Sequence, residues 1–251
     1  MIHGLREFGD RLDQLRASLD DIESMNRLAA SDLSSLEGGT AAEFVKAQAE
    51  QLGGNTGARR VYSYASCMML MYGAFEQFVE TLLMEYLEEL NRLVPEFGQL
   101  PSAVRANHSE CSAHLLLNLG LDKYRNRTTA DEVARRLSSC ADGAPYSLNV
   151  LGYINHPANL RIEVVGGLFR DVGVPGIGKL VRGAAAFQPY LQATFPDGGV
   201  EHFRDEVVFH DLADLIERRN VIAHGWPDDL LSPDLMKDRM EFVRLLGGLP
   251  P

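Results

Sequence analysis

Arg218-Arg219-Asn220-Val221-Ile222-Ala223-His224-Gly225-Trp226-Pro227 closes a run whose apolar residues recur at the 3.6-residue period of an amphipathic helix: Val207, Val208, Leu212, Leu215 and Ile216. The pattern continues through Val221 and Ile222, and Gly225 and Pro227 then supply the stop. The spacing predicts one helix from Arg204 onward, with a guanidinium, a carboxamide and an imidazole in its last turn. Asn220 and His224 share a face at the i, i+4 spacing, and Arg219 lies one step round. Two readings are open for these groups. They form a site, or Asn220 and His224 cap the last carbonyls while Arg219 covers a core edge.

Working outward, the 251-residue chain is long enough to bury a substantial core, as one domain or two small ones. Its longest apolar run, Ala65 to Phe75, is too short to span a bilayer. No basic region followed by an apolar one opens the chain, so no secretion signal and no membrane association are expected. Cys67, Cys111 and Cys140 are odd in number and widely spaced, which makes neither a disulfide framework nor a metal knuckle and suits a reducing cytoplasm. The formal net charge of −11 disfavours nonspecific coating of nucleic acid and leaves room for a local basic cleft.

Helical periodicity dominates the rest. Residues 2 to 36 read as one amphipathic helix with Leu5, Phe8, Leu12, Leu15, Leu19, Ile22 and Met25 on its stripe. A short helical stretch follows Thr40, and Gly53 to Gly57 reads as a loop. Residues 59 to 93 give the strongest helix, nearly uncharged from Val61 to Phe75, where Glu76 follows as a carboxylate that is paired, half-exposed or near a site. Two short helices are expected between Pro101 and Leu119, and Thr129-Ala130-Asp131-Glu132 is a capping box. Tyr146 to Ile154 reads as extended or irregular, Asn155-His156-Pro157 as a turn, Ala158 to Asp171 as a helix, and Pro233 to Leu246 as the closing helix. The class is all-α.

Other constellations fail on particular residues. Gly173 to Lys179 has the spacing of a phosphate-binding loop, but Leu180 stands where a hydroxyl should hold magnesium and Pro175 removes a backbone N–H. Among seven histidines there is no His-x-x-x-His pair, and His108 and His114 lack zinc-like spacing, so neither metal nor cofactor is expected. Spacing alone also produces a decoy, because Arg204 and His210 repeat the Arg-to-His interval by accident.

The composite Arg219-Asn220-Val221-Ile222-Ala223-His224-Gly225 in an all-α chain resembles the signature of the HEPN superfamily. Phe75-Glu76-Gln77-Phe78-Val79 is similar to an early core helix of its MAE-type branch, and the resemblance covers about residues 60 to 248. It implies a HEPN-like helical bundle over 58–251 and is silent about the N-terminal helix, and residues 1–57 are expected as a helical arm for dimerisation or partner contact. It further implies a homodimer in which two motifs face each other, acting as a metal-independent endoribonuclease. Such proteins are commonly toxins or effectors of bacterial conflict and phage defence, which brings in an antitoxin or regulatory protein as a possible partner. The alternative within the fold is a non-catalytic interaction or assembly module. Catalytic roles fall to Arg219, Asn220 and His224, with Glu76 and Arg218 in support. Arg218 is equally read as a salt-bridge partner of Glu217 or Asp214.

Overall fold

A computed structural model describes residues 3–35, 38–141, 145–156, 158–225 and 232–248. Among them there are helices and turns and no strand. The order is α1 (His3–Ala30), α2 (Thr40–Gly53), α3 (Thr56–Leu93), α4 (Ser102–Asn118), α5 (Ala130–Ser139), α6 (Val150–Tyr153), α7 (Ile162–Asp171), α8 (Ile177–Gly183), α9 (Gln188–Thr194), α10 (Asp205–Val208), α11 (His210–Ala223) and α12 (Pro233–Leu246).

Several expectations change. The Gly53–Gly57 loop shrinks to Gly54 and Asn55, because α2 runs through Gly53 and α3 starts at Thr56. The two short helices after Pro101 are one, α4, and α6 forms inside the stretch read as irregular. The helix predicted from Arg204 breaks into α10 and α11. At the break the His210 Nδ1 hydrogen-bonds the Val207 carbonyl at 3.2 Å, taking an acceptor that a continuous helix would use for its own N–H. The capping box forms as read: the Thr129 hydroxyl accepts from the Glu132 N–H at 3.2 Å, and the Glu132 carboxylate accepts from the Thr129 N–H at 3.0 Å. The end of the Asn155-His156-Pro157 turn falls outside the described residues.

The chain divides into two compact units that interleave in sequence: Met1–Arg6 with Glu76–Ala213, and Glu7–Phe75 with Asp214–Pro251. The second unit carries the motif. Its core is built by Phe8, Leu12 and Leu19 of α1, Tyr64, Met68, Met71 and Tyr72 of α3, Leu215 and Ile216 of α11, and Met240, Phe242 and Val243 of α12. The α1 stripe is therefore core at Phe8, Leu12 and Leu19, half-buried at Leu15 and Ile22, and exposed at Met25. Polar contacts also pin α1, since Arg244 donates to Asp13 at 2.7 Å, Lys237 pairs with Asp20 at 3.2 Å, and the Tyr64 hydroxyl donates to Glu23 at 2.8 Å. Ser232 caps α12 by accepting from the Leu235 N–H at 3.1 Å, with Pro233 in the first turn.

The first unit packs α4 against α5, α6 and α7 around Leu115, Tyr124 and Val133. Asn149 is buried and ties three segments together by donating to the Ser112 hydroxyl at 2.9 Å and the Val133 carbonyl at 3.0 Å. Contact between α6 and α4 requires glycine at position 152, where a Cβ would lie 2.5 Å from the Cys111 carbonyl oxygen. His108 is 1 % exposed, stacked on Tyr153 with centroids 6.2 Å apart, and burial pushes its imidazole down to about 4.

Candidate functional site

In the last turns of α11 the helix changes character. Leu215 and Ile216 are buried, Arg218, Arg219 and Asn220 are half-buried, and Val221, Ala223 and His224 are exposed. Arg219 lies over the buried Tyr72 ring, with the guanidinium carbon 5.2 Å from the centroid, a cation–π arrangement. Its Nη1 donates to the Asn220 carboxamide oxygen at 3.2 Å, and its buried Nε–H finds no acceptor among the described residues. The guanidinium is thus positioned by a flat ring and a neighbouring amide while one donor stays unused.

His224 ends the element. Its backbone N–H still bonds the Asn220 carbonyl at 3.0 Å, and Gly225 then turns the chain with φ +86°, a left-handed conformation that glycine adopts without strain. Among the described residues the imidazole caps no carbonyl and makes no hydrogen bond, and it is exposed at the helix end. Trp226 and Pro227, the other half of the expected stop, lie outside the described residues.

Arg218 is occupied otherwise. Its Nε donates to both Asp214 oxygens at 3.0 Å, and the Arg239 Nε donates to Asp214 Oδ2 at 2.9 Å. Burial would raise the Asp214 carboxyl, but hydrogen bonds from Arg218 and Arg239 outweigh it and hold the group below the usual range. Two guanidinium groups on one carboxylate tie α11 to α12, so Arg218 takes the salt-bridge role with Asp214.

Glu76 belongs to the other unit. There its Oε1 lies 3.6 Å from the His156 Nε2, which also meets Glu80 Oε1 at 3.1 Å. His156 Nδ1 donates to the Ala158 carbonyl at 2.7 Å, and Lys123 donates to Glu80 and, at 2.8 Å, to the Ile154 carbonyl. The Glu80 hydrogen bond outweighs burial and holds the His156 imidazole above its usual range. At Glu80 burial is in turn outweighed by the bonds from His156 and Lys123, and the carboxyl is held low. Glu76, Glu80 and His156 are the residues here with donor atoms close enough to hold a cation. Sequence spacing missed His156, Glu80 and Lys123; the one available signal was the i, i+4 pair Glu76 and Glu80.

The decoys separate cleanly. Arg204 precedes α10 and His210 opens α11, where it pairs with Asp211 at 3.2 Å, so they do not share a helix. Gly173 to Gly176 joins α7 to α8, Ile177 to Lys179 open α8, and Lys179 lines a cleft of about 720 Å³ with Arg182, which pairs with Asp205 at 2.8 Å.

The described residues are thus helices and turns, with the sequence Arg-Asn-x-x-x-His at the end of a half-buried helix. The family model described as RiboL-PSP-HEPN matches residues 40–247, and the chain belongs to this HEPN family. The match carries that description rather than the MAE-type label and begins at α2, inside the stretch expected as an arm. No curated protein and no solved structure matches the chain. No helix among the described residues is long and apolar enough to cross a membrane.

Proposed function

We propose that the chain is a metal-independent endoribonuclease in which two Arg219–His224 motifs complete one site across a homodimer. The observation that carries this reading is the division of roles at the end of α11: Arg219 is held by Tyr72 and Asn220, and the His224 imidazole is exposed one turn later. RNA brings its own nucleophile. One His224 removes the proton of the 2′-OH, whose oxygen attacks phosphorus to form a cyclic phosphate. The P–O5′ bond breaks, and the second copy's His224, in its protonated form, returns a proton to the leaving oxygen. Arg219 offers a permanently charged planar fork to the phosphorane oxygens. A single motif supplies one imidazole, so acid and base fall to two copies related by a two-fold axis.

A role as a cytoplasmic toxin or effector in bacterial conflict or phage defence, restrained by an antitoxin or regulatory protein, follows from the family resemblance. Exposed apolar side chains in the motif-bearing unit, Tyr62 and Leu70 on α3 and Val221 on α11, favour a protein contact there. A non-catalytic assembly module would keep that contact and lose the cleavage.

The test incubates purified protein with total and transfer RNA in EDTA, beside Arg219→Ala and His224→Ala. Wild type cleaves, and each variant loses about 10²–10⁴-fold in rate. Unchanged cleavage in both variants overturns the site. An inert wild type that forms a stable protein complex favours the module, and a strict monomer at micromolar concentration overturns the composite site.

A further inference from the structure

We infer that Glu76, Glu80 and His156 form a binding site for a divalent transition-metal ion of the manganese, iron or zinc type. The site lies in the unit that does not carry the motif, and the inference is independent of RNA cleavage.

The argument starts from hydrogen atoms. A backbone carbonyl only accepts, so the Ala158 oxygen at 2.7 Å requires the hydrogen of a neutral imidazole to sit on His156 Nδ1. The Nε2 lone pair then faces two carboxylates, which also only accept: Glu80 Oε1 at 3.1 Å and Glu76 Oε1 at 3.6 Å. Three lone pairs converge on one point that needs positive charge. A proton on Nε2 serves one of these contacts well, the shorter one to Glu80. A metal ion serves all three. With metal–ligand bonds of about 2.1 Å, the edges of an octahedron and a tetrahedron are about 3.0 and 3.4 Å, close to the two separations present. All three donor atoms already lie within 4.8 Å of one another.

The surroundings suit an ion. Glu76 and Glu80 are one helical turn apart on α3, a rigid element. The Ala158 carbonyl is the outer partner that fixes tautomer and ring orientation in histidine metal sites. Glu76 and His156 line a cleft of about 490 Å³, which leaves coordination positions open to water or an anionic ligand. Lys123 neutralises one of the two carboxylates through Glu80, so one negative charge remains for the ion. It also competes with the ion for Glu80 and keeps the Ile154 carbonyl as a second acceptor at 2.8 Å. One nitrogen and two carboxylates favour manganese, iron or zinc over the all-oxygen preference of calcium and magnesium.

The experiment strips the full chain with chelator, desalts it, and titrates it with Mn²⁺ alone while the free ion is counted by electron paramagnetic resonance. Wild type is expected to bind one ion per chain, with excess magnesium displacing little of it. Glu76→Gln, nearly isosteric, weakens binding about tenfold or more. Lys123→Met tightens it severalfold by removing the competing ammonium, a change in the opposite direction that mere loss of structure does not produce. Thermal melts establish that each variant is folded. No binding below millimolar Mn²⁺, or equal affinity in wild type and both variants, overturns the site. If Glu76→Gln fails to fold, the Lys123→Met affinity decides alone.

Discussion

At the scale of single residues, the motif helix separates side chains that are held from side chains that are exposed. Arg219 rests on Tyr72 and Asn220, and the exposed His224 is followed by a glycine with positive φ that ends the helix beneath it. Arg218, one position away, is spent on structure. Asp214 accepts from Arg218 and Arg239 together, so removing it takes away the carboxylate that two neighbouring like charges share. The three side chains are 14–30 % exposed, which screens the effect below that of a fully buried network. We expect Asp214→Ala to destabilise the protein by about 1–3 kcal/mol, read from urea midpoints. A midpoint equal to wild type would show the network to be ornamental.

Elements in the first unit depend on how closely backbones approach. The short helix α6 lies so near α4 that a Cβ at position 152 would sit 2.5 Å from the Cys111 carbonyl. The obstacle is backbone on a 17-residue helix, and it cannot rotate aside as a side-chain tip does. Gly152→Ala should therefore cost about 1–3 kcal/mol, although alanine is the better helix former. Equal or greater stability of the variant in urea titration would contradict the close packing. The α10–α11 break shows the same dominance of a local contact over propensity. The periodicity of residues 204 to 222 is that of one helix, and a single side-chain hydrogen bond from His210 to Val207 accompanies its division into two.

For the whole molecule, one buried imidazole predicts acid sensitivity. His108 has a folded-state value of about 4, below the ordinary 6.5, so the unfolded chain takes up a proton that the folded one refuses. Its stabilising contribution is complete above pH 6.5 and is lost as pH falls toward about 4, a change of about 3 kcal/mol. Urea melts from pH 7 to 4.5 should show this slope, and His108→Phe, which keeps a ring beside Tyr153, should flatten it; an unchanged slope would place the acid sensitivity elsewhere. Sequence alone determined what repeats locally: the helical class, the long α3, the Thr129 capping box, and the motif from Arg219 to His224 with its glycine stop. These are legible because a 3.6-residue period, a cap and a left-handed glycine are set by neighbours within a turn or two. Tertiary structure decided what depends on distant partners. Tyr72 under Arg219 comes from 147 positions earlier, Arg239 joins Arg218 at Asp214, and His156 meets Glu76 and Glu80 from 80 and 76 positions away. No local pattern encodes those meetings, because they arise only when separate helices bury their apolar faces and carry the polar side chains with them.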